Sequence, residues 1–260
     1  VSGADRIAAA MARASAAGQP AISAFLTAGF PSLESFSPLL KQLARCADLI
    51  EIGVPFSDPM ADGVTIQRAS REAIARGASV RWILDQLAAS SRDDTPLLLM
   101  SYLNPLLAFG WDQLCEQAAS VGVAGLIIPD LPLEEQAAYR PALERCGLAS
   151  IQLVTPVTSD ARLAQLAARS GGFVYAVTVT GITGGSVTRG RAVTEYLQRV
   201  KQHSPVPVLA GFGVRSAEDV RRLVPPADGV IVGSALIEQL ERGADPALLL
   251  DSLRSREERS

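Results

Sequence analysis

The 260-residue chain has only two lysines, Lys41 and Lys201, a single histidine, His203, and three cysteines, Cys46, Cys115 and Cys146. Lys41 belongs to the helical stretch after the first strand-like run and Lys201 to the one after the sixth, so neither stands at a strand's C-terminal end to form a Schiff base. His203 closes a helical pattern beside Ser204-Pro205 and reads as a helix-end residue favoured by the helix dipole. The cysteines are odd in number and widely separated, which suits packing thiols and gives neither a disulfide framework nor a zinc spacing. With no His pair and no Cys cluster a transition-metal site has nothing to be made from, and an oxygen-ligated magnesium is left without support. No apolar run reaches the roughly 18 residues of a membrane span. The formal charge of -3 is scattered without basic stripes, which disfavours nucleic acid. The first 17 residues, Ala-rich with Asp5, Arg6 and Arg13, read as an extra N-terminal helix of a cytoplasmic chain without a targeting segment.

What the chain has is repetition. Short Val-, Ile- and Leu-rich runs recur at Ala21 to Leu26, Asp48 to Ile52, Pro96 to Ser101, Gly125 to Pro129, Ala149 to Val154, Phe173 to Val177, Val206 to Ala210 and Gly229 to Val232. Most are continuous apolar runs, as parallel strands covered on both faces require. Amphipathic stretches separate them, and Ser32, Ser159 and Ser216 stand where a helix would begin. Strand and helix alternating in steps of about 25 residues predict a single-domain (β/α)8 TIM barrel over residues 1–260. No G-x-G-x-x-G follows the first strand, which weakens a dinucleotide-binding sheet. The second-to-third and sixth-to-seventh steps are longer, which predicts extended loops after strands 2 and 6, at the barrel end that carries active sites.

Glu51 falls at the end of the second strand, where an ionised group needs a partner or a task, and Asp62 returns a second carboxylate eleven positions later. Asp130, Tyr102 and Tyr175 also lie at or near strand ends. Past the seventh strand comes Ala210-Gly211-Phe212-Gly213-Val214, and past the eighth Val232-Gly233-Ser234-Ala235. Paired glycine turns before helix starts can offer backbone N–H groups to a phosphate without any lysine. The Gly181 to Ser186 loop can close over the same anion.

The segment Leu49-Ile-Glu51-Ile-Gly-Val-Pro-Phe-Ser-Asp-Pro-Met-Ala-Asp62-Gly63 resembles the signature of the tryptophan synthase alpha chain family. Phe25-Leu-Thr27-Ala-Gly29, Ser101-Tyr102-Leu-Asn104-Pro105, Pro129-Asp130-Leu-Pro132, Thr180-Gly181-Ile-Thr183-Gly184, Gly211-Phe-Gly213 and Gly233-Ser234 match in the family's order. The resemblance implies a lyase of tryptophan biosynthesis that cleaves indole-3-glycerol phosphate to indole and glyceraldehyde 3-phosphate by retro-aldol chemistry. In that chemistry the indole ring, protonated at carbon 3, is the electron sink, so lysine and metal can both be absent.

The resemblance further implies Glu51 as general acid-base, with a pKa raised by burial, and Asp62 as an ionised carboxylate holding the indole N–H. Tyr175 and Tyr102 match site-lining residues, and Phe25, Ile66, Ile127 and Phe212 an apolar slot around indole. Thr183 matches a threonine of the closing loop, and Gly184, Gly213, Gly233 and Ser234 match the phosphate ligands. Asp58, Asn104 and Pro132 fall in segments that contact a beta chain in an alpha2-beta2 tetramer. No cofactor is implied in this chain; pyridoxal phosphate belongs to the beta partner. Two positions depart from the family pattern: Val64, where Pro is common, bears on the rigidity of the Asp62 loop, and Phe30, where some members have Asp, bears on partner contact. Competing readings are a stand-alone lyase releasing free indole, a barrel that serves only as an allosteric partner, and, more weakly, a phosphosugar isomerase or epimerase. At the residue level, Glu51 could instead pair with an arginine, Asp62 could cap a helix starting near Thr65, and the two tyrosines could be core packing.

Overall fold

The computed structural model describes residues 1–90, 94–178, 186–211 and 213–254, the side chains of 186–189 excepted. Eight parallel strands close into a barrel in chain order: β1 Ala21–Thr27, β2 Leu49–Gly53, β3 Leu97–Met100, β4 Val123–Ile127, β5 Ala149–Val154, β6 Val174–Val177, β7 Val208–Gly211 and β8 Gly229–Val232. This is the expected (β/α)8 architecture. β4 is displaced by two residues at both ends from the expected Gly125 to Pro129, and β7 starts two residues after the expected Val206. Gly125 lies inside the strand because a Cβ there would sit 2.6 Å from the Ala149 carbonyl oxygen, so the residue marks a close approach to β5 and not a turn.

The continuous apolar runs are explained by two separate cores. Outward-facing Ile22, Ala24, Leu26, Ile50, Ile52, Val174, Ala176, Val230 and Val232 pack under the surrounding helices. Inward-facing Ala21, Leu49, Leu98, Ile127, Ile151, Tyr175, Leu209 and Ile231 fill the barrel. The N-terminal helix Gly3–Ala16, held at its start by a capping box between Ser2 and Asp5, joins this interior cluster through Ile7, Ala10, Met11 and Ala14. Gly3 comes so near β4 that a Cβ would lie 1.7 Å from the Ala124 oxygen. The N-terminal end of the barrel is thereby stoppered, and chemistry is confined to the other end.

Two bottom-side carboxylates stitch the barrel further. Asp48 accepts from the Ile22 N–H at 2.8 Å and from Arg254 at 2.7 Å, which ties the C-terminal helix Pro246–Arg254 to β1. Asp228 accepts from the Val208 N–H at 2.7 Å and pairs with Lys201.

Ser159 and Ser216 cap helices as expected, each accepting from a backbone N–H three residues on. Ser32 does not: it exchanges hydrogen bonds with Ser35 in a turn, and the helix begins only at Phe36. The long step after β2 consists of residues 54–63 followed by two helices, Val64–Ala75 and Val80–Ala89, so only part of it is loop. After β6 the helix spans Ser186–His203. Residues 179–185 between them lie outside the described residues. The cysteines are free thiols, with Cys115 buried and burial pushing its pKa up to about 12.

If the stopper helix is part of the barrel core, Ile7→Ala, which truncates a fully buried side chain, costs about 2–4 kcal/mol in urea unfolding. A loss below about 0.5 kcal/mol would mean that this helix contributes little to the core.

Candidate active site

Glu51 points into the barrel two residues before the end of β2 and is completely buried. Its Oε1 accepts a 2.7 Å hydrogen bond from the Ser23 hydroxyl of β1, while Oε2 has no hydrogen-bond partner. Its neighbours in register are Phe25 on β1 and Leu98 on β3, both apolar. Burial therefore raises the Glu51 pKa to about 7, against a small lowering by Ser23. Among the described residues no arginine pairs with Glu51, so the structural ion-pair reading has no support. A carboxyl that titrates near neutrality suits proton transfer in both directions.

Asp62 sits on the segment between β2 and the helix Val64–Ala75. That helix is capped by Gly63 with no side-chain cap bond, so Asp62 is not its cap. Tyr102, at the end of β3, organises the loop instead: its hydroxyl accepts from the Ala61 N–H at 2.8 Å and bonds the Asp62 carboxylate, and its ring lies 5.3 Å from that of Phe56. Gln67 reaches back from the helix to the backbone oxygen of Asp62 at 2.9 Å. The loop is thus pinned with Val64 at the first helical position, which is 77% exposed. Burial raises the Asp62 pKa to about 6, with Tyr102 lowering it. The expected contrast between the two acids is narrower than the sequence suggested, because the Asp62 loop folds inward with no cation beside the carboxylate among the described residues.

Phe25, Asp62, Ile66 and Tyr102 line one hollow together with Gly53, Val54, Ser70, Met100, Ser101 and Pro129. Two glycines make room for the aromatic rings: a Cβ on Gly53 would lie 2.5 Å from Cζ of Phe25, and one on Gly211 2.3 Å from Cε1 of Tyr175. Tyr175 is buried in the barrel interior. Its phenol is held well above its usual range by burial, then by the nearby charges of Glu51 and Asp62, so the three polar groups share one site. Ile127 belongs to the interior cluster with Tyr175.

On the phosphate side, Gly213 follows β7 with φ +84°, a conformation that favours glycine. Gly233 follows β8 and caps the helix Ser234–Glu241. A Cβ on Gly233 would lie 3.8 Å from both Ile66 and Phe25, which places this helix start beside the hollow. Ser234 opens that helix and is half-buried. Thr183, Gly184 and Phe212 lie outside the described residues.

Asp130, considered with the acids, accepts from the Leu103 N–H at 2.9 Å and so serves the start of the helix Leu103–Phe109. Asp58, Asn104 and Pro132 are exposed on segments following β2, β3 and β4. Phe30 is buried in the outer core, so its departure from the family pattern is one of packing. Sequence reasoning missed Ser23, Gly53, Ser70 and Met100, whose place at the site depends on strand register and loop path.

The family model of the tryptophan synthase alpha chain matches residues 11–257. A tryptophan synthase alpha chain of Nitratidesulfovibrio vulgaris (strain DP4) is 46% identical over 236 residues, 90% of this chain and 92% of that one. One from Xanthomonas oryzae pv. oryzae is 43% identical over 232 residues, 88% and 87% of the two chains. Among solved structures, tryptophan synthase subunit alpha from Legionella pneumophila str. Paris superposes with a TM-score of 0.86 at 33% identity, covering 96% of this chain and 97% of that one. Tryptophan synthase from M. tuberculosis in an aminoacrylate-bound form gives 0.86 at 35% identity, with 96% and 98% covered. A parallel barrel stoppered at its base, with Glu51 and Asp62 gathered at its open end, is what these matches span from end to end, and the chain belongs to the tryptophan synthase alpha chain family.

Proposed function

We propose that Glu51 and Asp62 carry out the family's reaction, the first as acid-base and the second as the anchor of the indole nitrogen. By its family the chain is a lyase that cleaves indole-3-glycerol phosphate in tryptophan biosynthesis. The observation that carries the residue assignment is Glu51: fully buried, with one oxygen unpartnered and a pKa of about 7.

The Glu51 carboxylic acid donates its proton to carbon 3 of the indole ring, which becomes an iminium-like cation. The resulting carboxylate takes the proton of the side-chain hydroxyl as the carbon-carbon bond breaks. The bonding pair returns to the ring, the hydroxyl carbon becomes the aldehyde of glyceraldehyde 3-phosphate, and Glu51 ends protonated as it began. Asp62, ionised, accepts from the indole N–H and stabilises the positive charge that develops there. Phe25 and Ile66 form one wall of the ring slot, Ile127 and Tyr175 its floor, and Tyr102 holds Asp62 in place. Phe212 and Thr183 are assigned to the ring slot and closing loop. Gly213, Gly233 and Ser234 offer backbone and hydroxyl groups to the phosphate, with Gly184 from the loop after β6.

Residues 1–260 act as a single cytoplasmic domain that carries no cofactor of its own. Asp58, Asn104 and Pro132 are exposed on the segments after β2, β3 and β4, and the first two segments and the helices that follow them also expose Met60, Val64 and Leu107, apolar side chains beside polar ones in sequence, as a protein partner requires. We assign these segments to the beta chain of an alpha2-beta2 assembly, whose pyridoxal phosphate consumes the indole.

Glu51→Gln keeps the shape of the side chain and removes its proton chemistry, so indole release falls by at least about a thousandfold while phosphate binding persists. Substantial remaining turnover would refute the assignment. The same substitution affects stability. The folded-state pKa of about 7 lies above the unfolded value of 4.5, so the folded chain retains a proton that the unfolded chain releases, and stability is lost as pH rises through that window. Chemical denaturation at pH 8 therefore gives a Glu51→Gln protein more stable by about 1–3 kcal/mol.

The pH profile of kcat/KM is a bell, rising through about 6 as Asp62 ionises and falling through about 7 as Glu51 loses its proton. Activity that stayed flat from pH 5 to 8 would contradict both roles. Asn104→Arg, on the exposed rim, weakens beta-chain binding about tenfold or more in calorimetric titration and leaves indole release by the isolated chain unchanged. Unchanged affinity would place the partner elsewhere, and indole release measured with and without the beta chain separates a coupled lyase from a stand-alone one.

A further inference from the structure

The barrel interior along β1 carries Ala21, Ser23, Phe25 and Thr27 on one face, because alternate residues of a strand share a side. Ser23 is fully buried among apolar groups, where an unbonded hydroxyl is costly. Its one hydrogen bond reaches diagonally across the strand pair to Glu51: Ser23 is level with Leu49 in register, and Glu51 is level with Phe25. The bond is 2.7 Å long and goes to Oε1 alone, while Oε2 is left with no partner. The two carboxyl oxygens are thus made unlike by a single serine.

We propose that Ser23 is a positioning residue for the lyase reaction: its hydroxyl fixes one oxygen of Glu51, so that the other is the oxygen exchanging protons with the substrate. The inference rests on the assignment of Glu51 as acid-base. It goes beyond that assignment because it says which oxygen works and what selects it. A donor to a carboxylate favours the ionised form, so Ser23 also opposes the burial that raises the Glu51 pKa. The other titratable groups around Glu51 among the described residues are Tyr175 from β6 and Asp62 from the segment after β2. β1, β3 and β8 contribute Phe25, Leu98 and Ile231, and the stopper helix contributes Ile7, Ala10, Met11 and Ala14, none of which titrates. Ser23 is therefore the neutral donor through which the Glu51 titration can be moved without changing any charge.

The test uses the full chain with 13C-labelled glutamate carboxyls, in which the Glu51 signal is identified by its loss in Glu51→Gln. Ser23→Ala raises the Glu51 titration midpoint by about one pH unit. It moves the falling limb of the kcat/KM profile upward by the same amount. Ser23→Thr, which keeps the hydroxyl, returns both toward the parent values. A midpoint and limb that stay put in Ser23→Ala overturn the proposal. A shift of equal size in Ser23→Thr also overturns it, because packing and not the hydroxyl would then set the titration. Failure of the underlying reading is seen separately: a Glu51→Gln protein with parent-like turnover refutes the acid-base role, while the carboxyl titration still reports whether Ser23 and Glu51 are coupled.

Discussion

A carboxyl group sealed inside the barrel near the end of β2, with no cation among the described residues to meet it, is the constraint around which the rest of the molecule is arranged. Ionised, such a group is expensive to bury; protonated, it is tolerable, and near pH 7 it stands between the two states. That balance needs a dry surrounding. The stopper helix supplies it from below through Ile7 and Met11, and the rings of Phe25 and Tyr175 supply it from above, each fitted over a glycine of a neighbouring strand. Gly53 and Gly211 matter for the ring volume they admit, and neither needs a positive φ.

The distribution of partners follows the same division between the two ends of the barrel. At the bottom, Asp48 and Asp228 each accept from a strand backbone N–H and pair with a cation, Arg254 or Lys201. At the top, among the described residues, Glu51 and Asp62 are bonded by hydroxyls, from Ser23 and Tyr102. Paired carboxylates hold elements together; the hydroxyl-bonded ones in a dry site are pushed up in pKa by burial and remain available for proton chemistry. One residue type thus takes two jobs according to what faces it.

Most of the architecture was readable in the chain because parallel strands covered on both faces leave continuous apolar runs, and eight of them at a regular step admit few closures. The errors have local causes. Gly125 was placed at the start of the fourth strand and lies inside it, a contact point with β5. Ser32 looked like a cap, but a serine can bond a neighbouring serine in a turn as well as a helix start. At the site, Glu51 was visible because a charge in an apolar strand is conspicuous, and Asp62 because the signature names it. Ser23 was not singled out, since a serine in a strand says nothing until its register against Leu49 and Glu51 is known. The pKa of Asp62 was similarly hidden: it depends on how far the loop folds inward under Tyr102, which no local pattern encodes.

That elevated pKa gives Asp62 a role beyond holding a ligand. Its charge faces a low-dielectric hollow, and among the described residues the Tyr102 hydroxyl is what offsets the cost of ionisation. A neutral indole N–H provides one hydrogen bond, but protonation of the ring at carbon 3 places a full positive charge beside the carboxylate. The attraction is then largest at the step where charge develops, and weak in the ground state, which is the condition for accelerating a reaction and not merely binding its substrate. On the proposed assignment Glu51 supplies the proton that creates this charge, and each acid makes the other's task easier. With neither lysine at a strand end, the cation that a Schiff base would provide is formed transiently in the substrate itself.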